Sequence, residues 1–374
     1  MQDFLDLIRS KYLSTEEKLK PMDLAKKVQF LTMDVISTVG LGNPFGMLKA
    51  DKDINDYIKS TTEGLWMSNV FMGTGLYRIM QVKWVGNLLG PSTKDSKGFG
   101  KMMATAAEMV TERLKSPTDS RSDMLAAFMR HGLTDDDLRM EAFEQVLAGS
   151  DTTASGIRGI LLCLFTNPRV YQRLQAEIDD AVKSGRAPPT GIITDAEARR
   201  LEYLQAVIRE GLRIFLPVVN IFSRDTPPEG DRVTVNGKSI FIPGGTWIGY
   251  CALGMHHSKE TYGEDAGVFR PERWLVEDKD RLANMTRIND LVFGYGRWKC
   301  LGQPVASIEI SKIIFEVGDE VLSYPTNTLT FEFKALRSFD WALVYPEKPW
   351  NRKNLNGLFA VSDMWVTVME RESR

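Results

Sequence analysis

The sequence predicts a mainly α chain with a small β region, and three observations carry that reading. Apolar residues recur at helical spacing through most of the chain, between recognisable N-cap and breaker signals. One stretch, from Thr134 to Asn167-Pro168, runs for about 30 residues without a breaker, which makes a helix of roughly 45–50 Å, long enough to cross a whole domain. Strand signals, by contrast, gather between Arg232 and Tyr250. With 374 residues, 43% of them hydrophobic, the chain can bury a substantial core. It is read as one domain over residues 1–374.

From the N-terminus, Pro21 opens an amphipathic helix in which Leu24, Val28, Leu31 and Val35 keep the 3.6 period and Gly40 supplies the stop. Two further helices are expected near 52–70 and 98–115, with a loop between them carrying Gly73, Gly75, Gly86, Gly90 and Pro91. Gly73-Thr-Gly75 lacks the third glycine and the strand of a dinucleotide fingerprint. Thr134 with Asp135, Asp136 and Asp137 starts the long helix. Pro168 begins the next, ending near Gly185. Thr194 with Glu197 forms a capping box for a helix to about Phe215, stopped by Pro217. Arg232 to Ile242 reads as a hairpin on Asn236-Gly237, and Thr246 to Tyr250 as another strand.

Composition removes several classes of function. A formal charge of −2, from 47 basic and 49 acidic residues, gives nucleic acid no electrostatic footing as a partner. Cys163, Cys251 and Cys300 are too few and too scattered for a disulfide framework or zinc site, and His131, His256 and His257 have no metal-ligand spacing. No apolar run reaches the ~18 residues of a membrane span. The charges among the first residues break any signal-peptide core. The chain is expected to carry no membrane anchor and to be soluble or at most peripheral.

Two stretches look chemical. In mid-helix, Ala148-Gly149-Ser150-Asp151-Thr152-Thr153 sets small residues and hydroxyls where they cost propensity, and its threonines can bond back to the preceding turn. Ala148-Gly149 by itself equally fits a close helix crossing. Further on, Cys300 sits in the glycine-punctuated loop Phe293-Gly-Tyr-Gly-Arg-Trp-Lys-Cys-Leu-Gly302, ahead of an amphipathic run through Val305, Ile308, Ile310, Ile313 and Ile314. Glycines let such a loop fold tightly under a planar ligand, and a helix N-terminus favours a thiolate, a soft ligand suited to iron.

The cysteine loop resembles that of the haem-thiolate monooxygenases, the cytochrome P450 family, through Phe293, Gly296, Cys300 and Gly302. Ala148-Gly149-Ser-Asp151-Thr152-Thr resembles the family's oxygen-binding motif, Glu210-x-x-Arg213 its Glu-x-x-Arg motif, and Pro271-Glu-Arg273-Trp its Pro-Glu-Arg motif, all in the family's order. The resemblance implies a P450-like fold holding haem b through the Cys300 thiolate, with Arg297 and Arg224 towards the propionates, since Trp298 stands where the family usually has an arginine or histidine. It implies that Ala148 and Gly149 clear space over the haem, that Asp151 and Thr152 relay protons to the oxygen being activated, and that Glu210, Arg213 and Arg273 hold the fold. It maps the substrate contacts to Val146, Leu147, Val218, Val219, Ile221, Leu358 and Phe359, all apolar. Activity is then insertion of one atom of O2 into an apolar organic substrate, in fungal secondary metabolism, with electrons from an NADPH-dependent flavoprotein reductase on the cytoplasmic side of the endoplasmic reticulum. The resemblance runs from about Pro21 to Asp363-Met-Trp-Val; the family's early strands and haem-gripping helix are not found in residues 1–20, so the fold is expected to be N-terminally truncated. The end of the helix after Cys300, at Phe315-Glu-Val-Gly-Asp-Glu-Val-Leu, departs from the family pattern. The alternative is a non-catalytic relative binding haem weakly or not at all; an isomerase or dehydratase is disfavoured by Asp151 and Thr152.

Overall fold

The computed structural model describes residues 1–115, 121–219, 223–317, 339–355 and 357–370. Its axis is the helix Asp135–Thr166, 32 residues long, started by a capping box between Thr134 and Asp137 and ended at Asn167 before Pro168. From Thr153 to Leu164 every side of this helix is buried, because three other helices cross it: Leu24–Leu41, Glu202–Ile214 and Gln303–Val317.

Missing side chains mark the crossings. A Cβ on Gly149 would lie 2.7 Å from Ile36, one on Gly156 3.1 Å from Leu212, and one on Gly159 2.5 Å from Phe215. From the other side, a Cβ on Gly211 would meet Ile160 at 2.4 Å. The helix therefore gives up propensity, about 1 kcal/mol per glycine relative to alanine, where backbones must approach closely.

The β region is small and divided. Strand β10 (Trp365–Glu370) pairs with β1 (Leu13–Ser14) in parallel and with β2 (Met22–Asp23) and β7 (Phe339–Leu343) antiparallel. Hairpin β4–β5 (Asp231–Val235 and Lys238–Ile242) turns on Asn236 and Gly237, both at positive φ, 51° and 75°, as the Asn-Gly reading requires. Short β3 (Arg224–Asp225) pairs with β6 (Trp247–Ile248), within the strand read from Thr246 to Tyr250. Hairpin β8–β9 (Asn351–Leu355 and Leu358–Ser362) touches the chain after Pro217 through a bridge between Val218 and Leu358.

Several boundaries differ from the sequence reading for identifiable reasons. The first long helix starts at Leu24, capped by Asp23 because Met22–Asp23 is drawn into the sheet, and it ends with Gly42, not Gly40, in the left-handed conformation. The expected loop between the next two helices contains the short helices Tyr77–Met80 and Lys83–Leu89, neither with a side-chain cap. The Thr194 capping box launches only Asp195–Ala198; the chain then extends at Leu201, which is fully buried, before Glu202–Ile214 begins. Residues 1–20, where the family's early strands and haem-gripping helix are not found in the sequence, hold the helix Gln2–Leu7 and strand β1, with Phe4, Leu5 and Ile8 completely buried. No helix among the described residues is long and apolar enough to cross a membrane.

Among the described residues, one core carboxyl is buried with an oxygen left unpaired. Glu309, on the helix after Cys300, is 5% exposed and its Oε1 has no hydrogen-bond partner. Burial pushes its carboxyl up to about 8, against a smaller opposing pull from the Met1 amine. The folded chain thus binds a proton that the unfolded chain releases near 4.5, and stability falls as pH rises between those values.

Glu309→Gln should therefore be more stable than the parent above pH ~8, by roughly 2–4 kcal/mol, with the difference vanishing below about pH 4.5, in urea unfolding followed across pH. Gly211→Ala, which in an open helix would stabilise by about 0.5–1 kcal/mol, should instead cost about 1–3 kcal/mol through its clash with Ile160 and lower the thermal midpoint.

Candidate functional site

The cysteine loop is built by backbone geometry. Phe293 packs against the main core, and its carbonyl accepts the Cys300 N–H at 2.7 Å, closing the loop. Gly294 and Gly296 hold φ of 73° and 62°, conformations that side chains rarely adopt. The helix Gln303–Val317 begins just beyond Cys300. At Gly302 an added Cβ would lie 3.7 Å from the Cys300 Sγ, so the sulfur rests over a bare backbone.

Cys300 itself is exposed. So are its apolar neighbours Tyr295, at 83%, and Leu301, at 96%. A rigid loop that presents a thiol among uncovered apolar side chains suits a flat, apolar macrocycle laid over it. Around Trp298 the two expected arginines converge: the Arg224 guanidinium lies 4.7 Å from its ring centroid and that of Arg297 5.2 Å. Strand pairing of β3 with β6 holds Arg224 there, and the tryptophan in the departing position serves as the platform for both cations. Paired guanidiniums at the loop's edge fit the propionates of a haem, so the residues present agree with the group the sequence implies.

On the long helix, neighbouring residues face different surroundings. Ala148 is exposed and Thr152 half-buried. The Thr152 hydroxyl donates to the Ala148 carbonyl at 2.8 Å, the back-bond expected of a mid-helix threonine. Gly149, expected to clear space over the cofactor together with Ala148, instead accommodates Ile36 of the crossing helix. Asp151 also turns to that side. Its carboxylate accepts a hydrogen bond from Gln29 Nε2, while Gln29 Oε1 accepts from Arg158 Nη2 at 2.5 Å, and Arg158 Nε donates to the Ala25 carbonyl at 2.9 Å. Burial pushes the Asp151 carboxyl up, opposed by Arg158 and Gln29; burial pushes Arg158 down to about 10, opposed by Asp151. Gln29 and Arg158 were not singled out from sequence. The available signal was Arg158, alone in charge between Asp151 and Arg169.

The Glu210–Arg213 pair is fully buried, with both side chains at 0% exposure, and not the solvated helix pair that its spacing alone would suggest. Arg213 holds Glu210 through two hydrogen bonds, Nη2 to Oε1 at 2.8 Å and Nε to Oε2 at 2.9 Å. Arg273 Nε reaches Oε1 at 3.3 Å, Trp274 Nε1 reaches Oε2 at 3.0 Å, and the Arg270 N–H reaches Oε1 at 3.0 Å. Both guanidiniums continue outward: Arg213 Nη1 to the carbonyls of His256 and Ala266, at 2.7 and 2.6 Å, and Arg273 Nη1 to Asp265 Oδ1 at 3.0 Å. Trp274 is a member that sequence reading did not assign.

Of the expected substrate contacts, Val218, Val219, Leu358 and Phe359 come together: Val218 bridges Leu358, and the Val219 N–H donates to the Gly357 carbonyl at 2.8 Å. Leu147 is half-buried. Val146 is completely buried, in the row of Ala142 and Ser150 that faces the core. Ile221 lies outside the described residues, as does most of the departure that begins at Phe315. Among the described residues no group of three or more His, Cys, Asp and Glu side chains could hold a metal ion.

A family model described as Cytochrome P450 matches residues 1–317, beginning ahead of the Pro21 expected from the motifs. The chain is 36% identical over 375 residues to Cytochrome P450 monooxygenase ABA1 of Pyricularia oryzae, covering 99% of this chain and 69% of that protein. To Cytochrome P450 monooxygenase aba1 of Botryotinia fuckeliana it is 35% identical over 376 residues, covering 100% of this chain and 69% of the relative. Cytochrome P450 monooxygenase ACRTS1 of Alternaria alternata is 30% identical over 383 residues, covering 100% of this chain and 94% of its own.

Glu210→Gln leaves two buried guanidiniums without their carboxylate. It should cost about 3–5 kcal/mol in urea unfolding, whereas Arg139→Gln, on the exposed pair with Asp135, should cost less than about 1 kcal/mol.

Proposed function

Because the chain belongs to the cytochrome P450 family and is a P450-type monooxygenase, we propose that it holds haem b on Cys300 and inserts one atom of O2 into an apolar organic substrate, in fungal secondary metabolism. The observation that carries this is the exposed Cys300 on its closed glycine loop, with Arg224 and Arg297 gathered on Trp298 beside it. When bound, the haem supplies the activation of dioxygen, one atom going to substrate and the other to water. Electrons come from an NADPH-dependent flavoprotein reductase. The fungal origin of the relatives supports the metabolic setting.

The chain's own residues supply position and protons. Exposed Ala148 leaves room on the open side of the long helix. Thr152 Oγ1, already oriented by its bond to the Ala148 carbonyl, presents a proton to that space. Asp151, raised by burial, is the store from which Thr152 is reprotonated, and Gln29 and Arg158 decide when its carboxylate is released. Val218, Val219, Leu358 and Phe359 give the substrate side an apolar wall.

The test starts from the haem-loaded, reduced protein and its carbon monoxide difference spectrum. A strongly red-shifted Soret band should appear and be lost in Cys300→Ala; absence of the band in the parent would support the non-catalytic alternative. With reductase and NADPH, Asp151→Asn should keep the band and lose turnover by about a hundredfold or more. Full turnover in Asp151→Asn without reductase would point to isomerase or dehydratase chemistry instead.

A further inference from the structure

Exposed apolar side chains are concentrated in one short length of chain. Between Trp66 and Leu89 nine large apolar side chains are exposed, among them Trp84 at 71%, Leu88 at 72% and Leu89 at 64%. They belong to the second half of the helix Tyr57–Thr74, to the short helices Tyr77–Met80 and Lys83–Leu89, and to the turns between. The two short helices pack on each other, so closely that a Cβ on Gly86 would lie 2.5 Å from the Met80 carbonyl oxygen. Val85 is turned inward at this crossing, whereas Trp84 and Leu88, one turn apart, share an outward face.

Charge in this stretch has one sign. From Gly64 to Lys94 the sequence contains no aspartate or glutamate, in a chain whose formal charge is −2, but it contains Arg78, Lys83 and Lys94. All three cations are exposed. An uncovered apolar patch carrying charge of a single sign marks a contact surface, and its chemistry selects the partner. A second copy of the same face would bring these cations against one another. A lipid surface supplies both complements, anionic headgroups for the cations and acyl chains for the leucines, and tryptophan is favoured at the boundary between them.

We propose that this face docks on an anionic lipid surface, with Trp84, Leu88 and Leu89 entering the acyl boundary and Arg78, Lys83 and Lys94 meeting the headgroup phosphates. The two short helices then lie on the surface and do not cross it, each being far shorter than a span. Their tight mutual packing keeps the inserted side chains together, so they enter the lipid as one unit.

The full chain is floated with vesicles of phosphatidylcholine alone or with about 30% phosphatidylserine, and tryptophan quenching by brominated phosphatidylcholine is read in parallel. Binding to the anionic vesicles should be at least about tenfold tighter than to the neutral ones, and should weaken between about 0.1 and 1 M salt. The double variant Leu88→Ser, Leu89→Ser should lose about tenfold or more on both vesicle types, whereas Arg78→Ser with Lys83→Ser should lose mainly the preference for anionic lipid. Trp84→Phe should keep binding and lose a large part of the brominated-lipid quenching, which places that indole in the bilayer. No flotation of the parent, flotation unchanged in the leucine variant, or quenching unchanged in Trp84→Phe would each overturn the proposal. Concentration-dependent self-association without vesicles, abolished in the leucine variant and unaccompanied by flotation, would assign the face to a second copy of the chain instead. Should the leucine variant not fold, the lipid preference of the parent and the Trp84→Phe quenching decide.

Discussion

The stretch of chain that precedes the cysteine loop depends on one carboxylate, Glu210, kept dry and fully coordinated. A charge at 0% exposure is tolerable only when every lone pair has a donor, and Glu210 receives donors from Arg213, Arg273, Trp274 and the Arg270 backbone. The two arginines are the means by which an irregular stretch acquires a structure. Between His256 and Val268 few carbonyls belong to a helix or strand, and three of them, those of His256, Ala266 and Val268, accept from Arg213. That stretch leads to the cysteine loop, which is tied back by Tyr250 Oη to the Leu291 carbonyl at 3.0 Å. The chain thus approaches the cysteine loop through a stretch whose carbonyls are satisfied by buried charge.

The long helix shows how one turn of backbone can serve two surroundings. Successive residues in an α-helix point about 100° apart, whereas residues four apart share a face. Ala148 and Thr152 therefore look one way, towards open space, while Asp151 looks towards the crossing helix and meets Gln29. An acid and an alcohol adjacent in sequence are thus placed on either side of a boundary between packed interior and open face. Small residues in this helix follow the same division: Gly149 belongs to the crossing, Ala148 to the exposed face.

Much of this was legible in the sequence, and the rest was hidden for physical reasons. The long helix, the Asn236-Gly237 hairpin and the order of the motifs are local patterns, and local patterns survive in the fold. The break between Ala198 and Glu202 was not visible, because a capping box marks a start and says nothing of length; burial of Leu201 decides the interruption. Gln29 and Asp151 lie 122 residues apart, and no periodicity carries such a pairing. Trp274 reads as an ordinary core aromatic until its indole N–H is seen on Glu210.

The two polar networks also differ in how much chain they enclose. Trp274 joins Glu210 across 64 residues, Gln29 joins Asp151 across 122. Closure entropy grows only logarithmically, so this near-doubling of the loop adds about 0.6 kcal/mol. Topology therefore sets no strong order between the two halves during folding. Dehydration does not rank them either: the Glu210 cluster gathers two cations and an anion, and the crossing of Leu24–Leu41 over the long helix sets Asp151 beside buried Arg158, so each group of charges sheds its water only as the apolar surface around it closes.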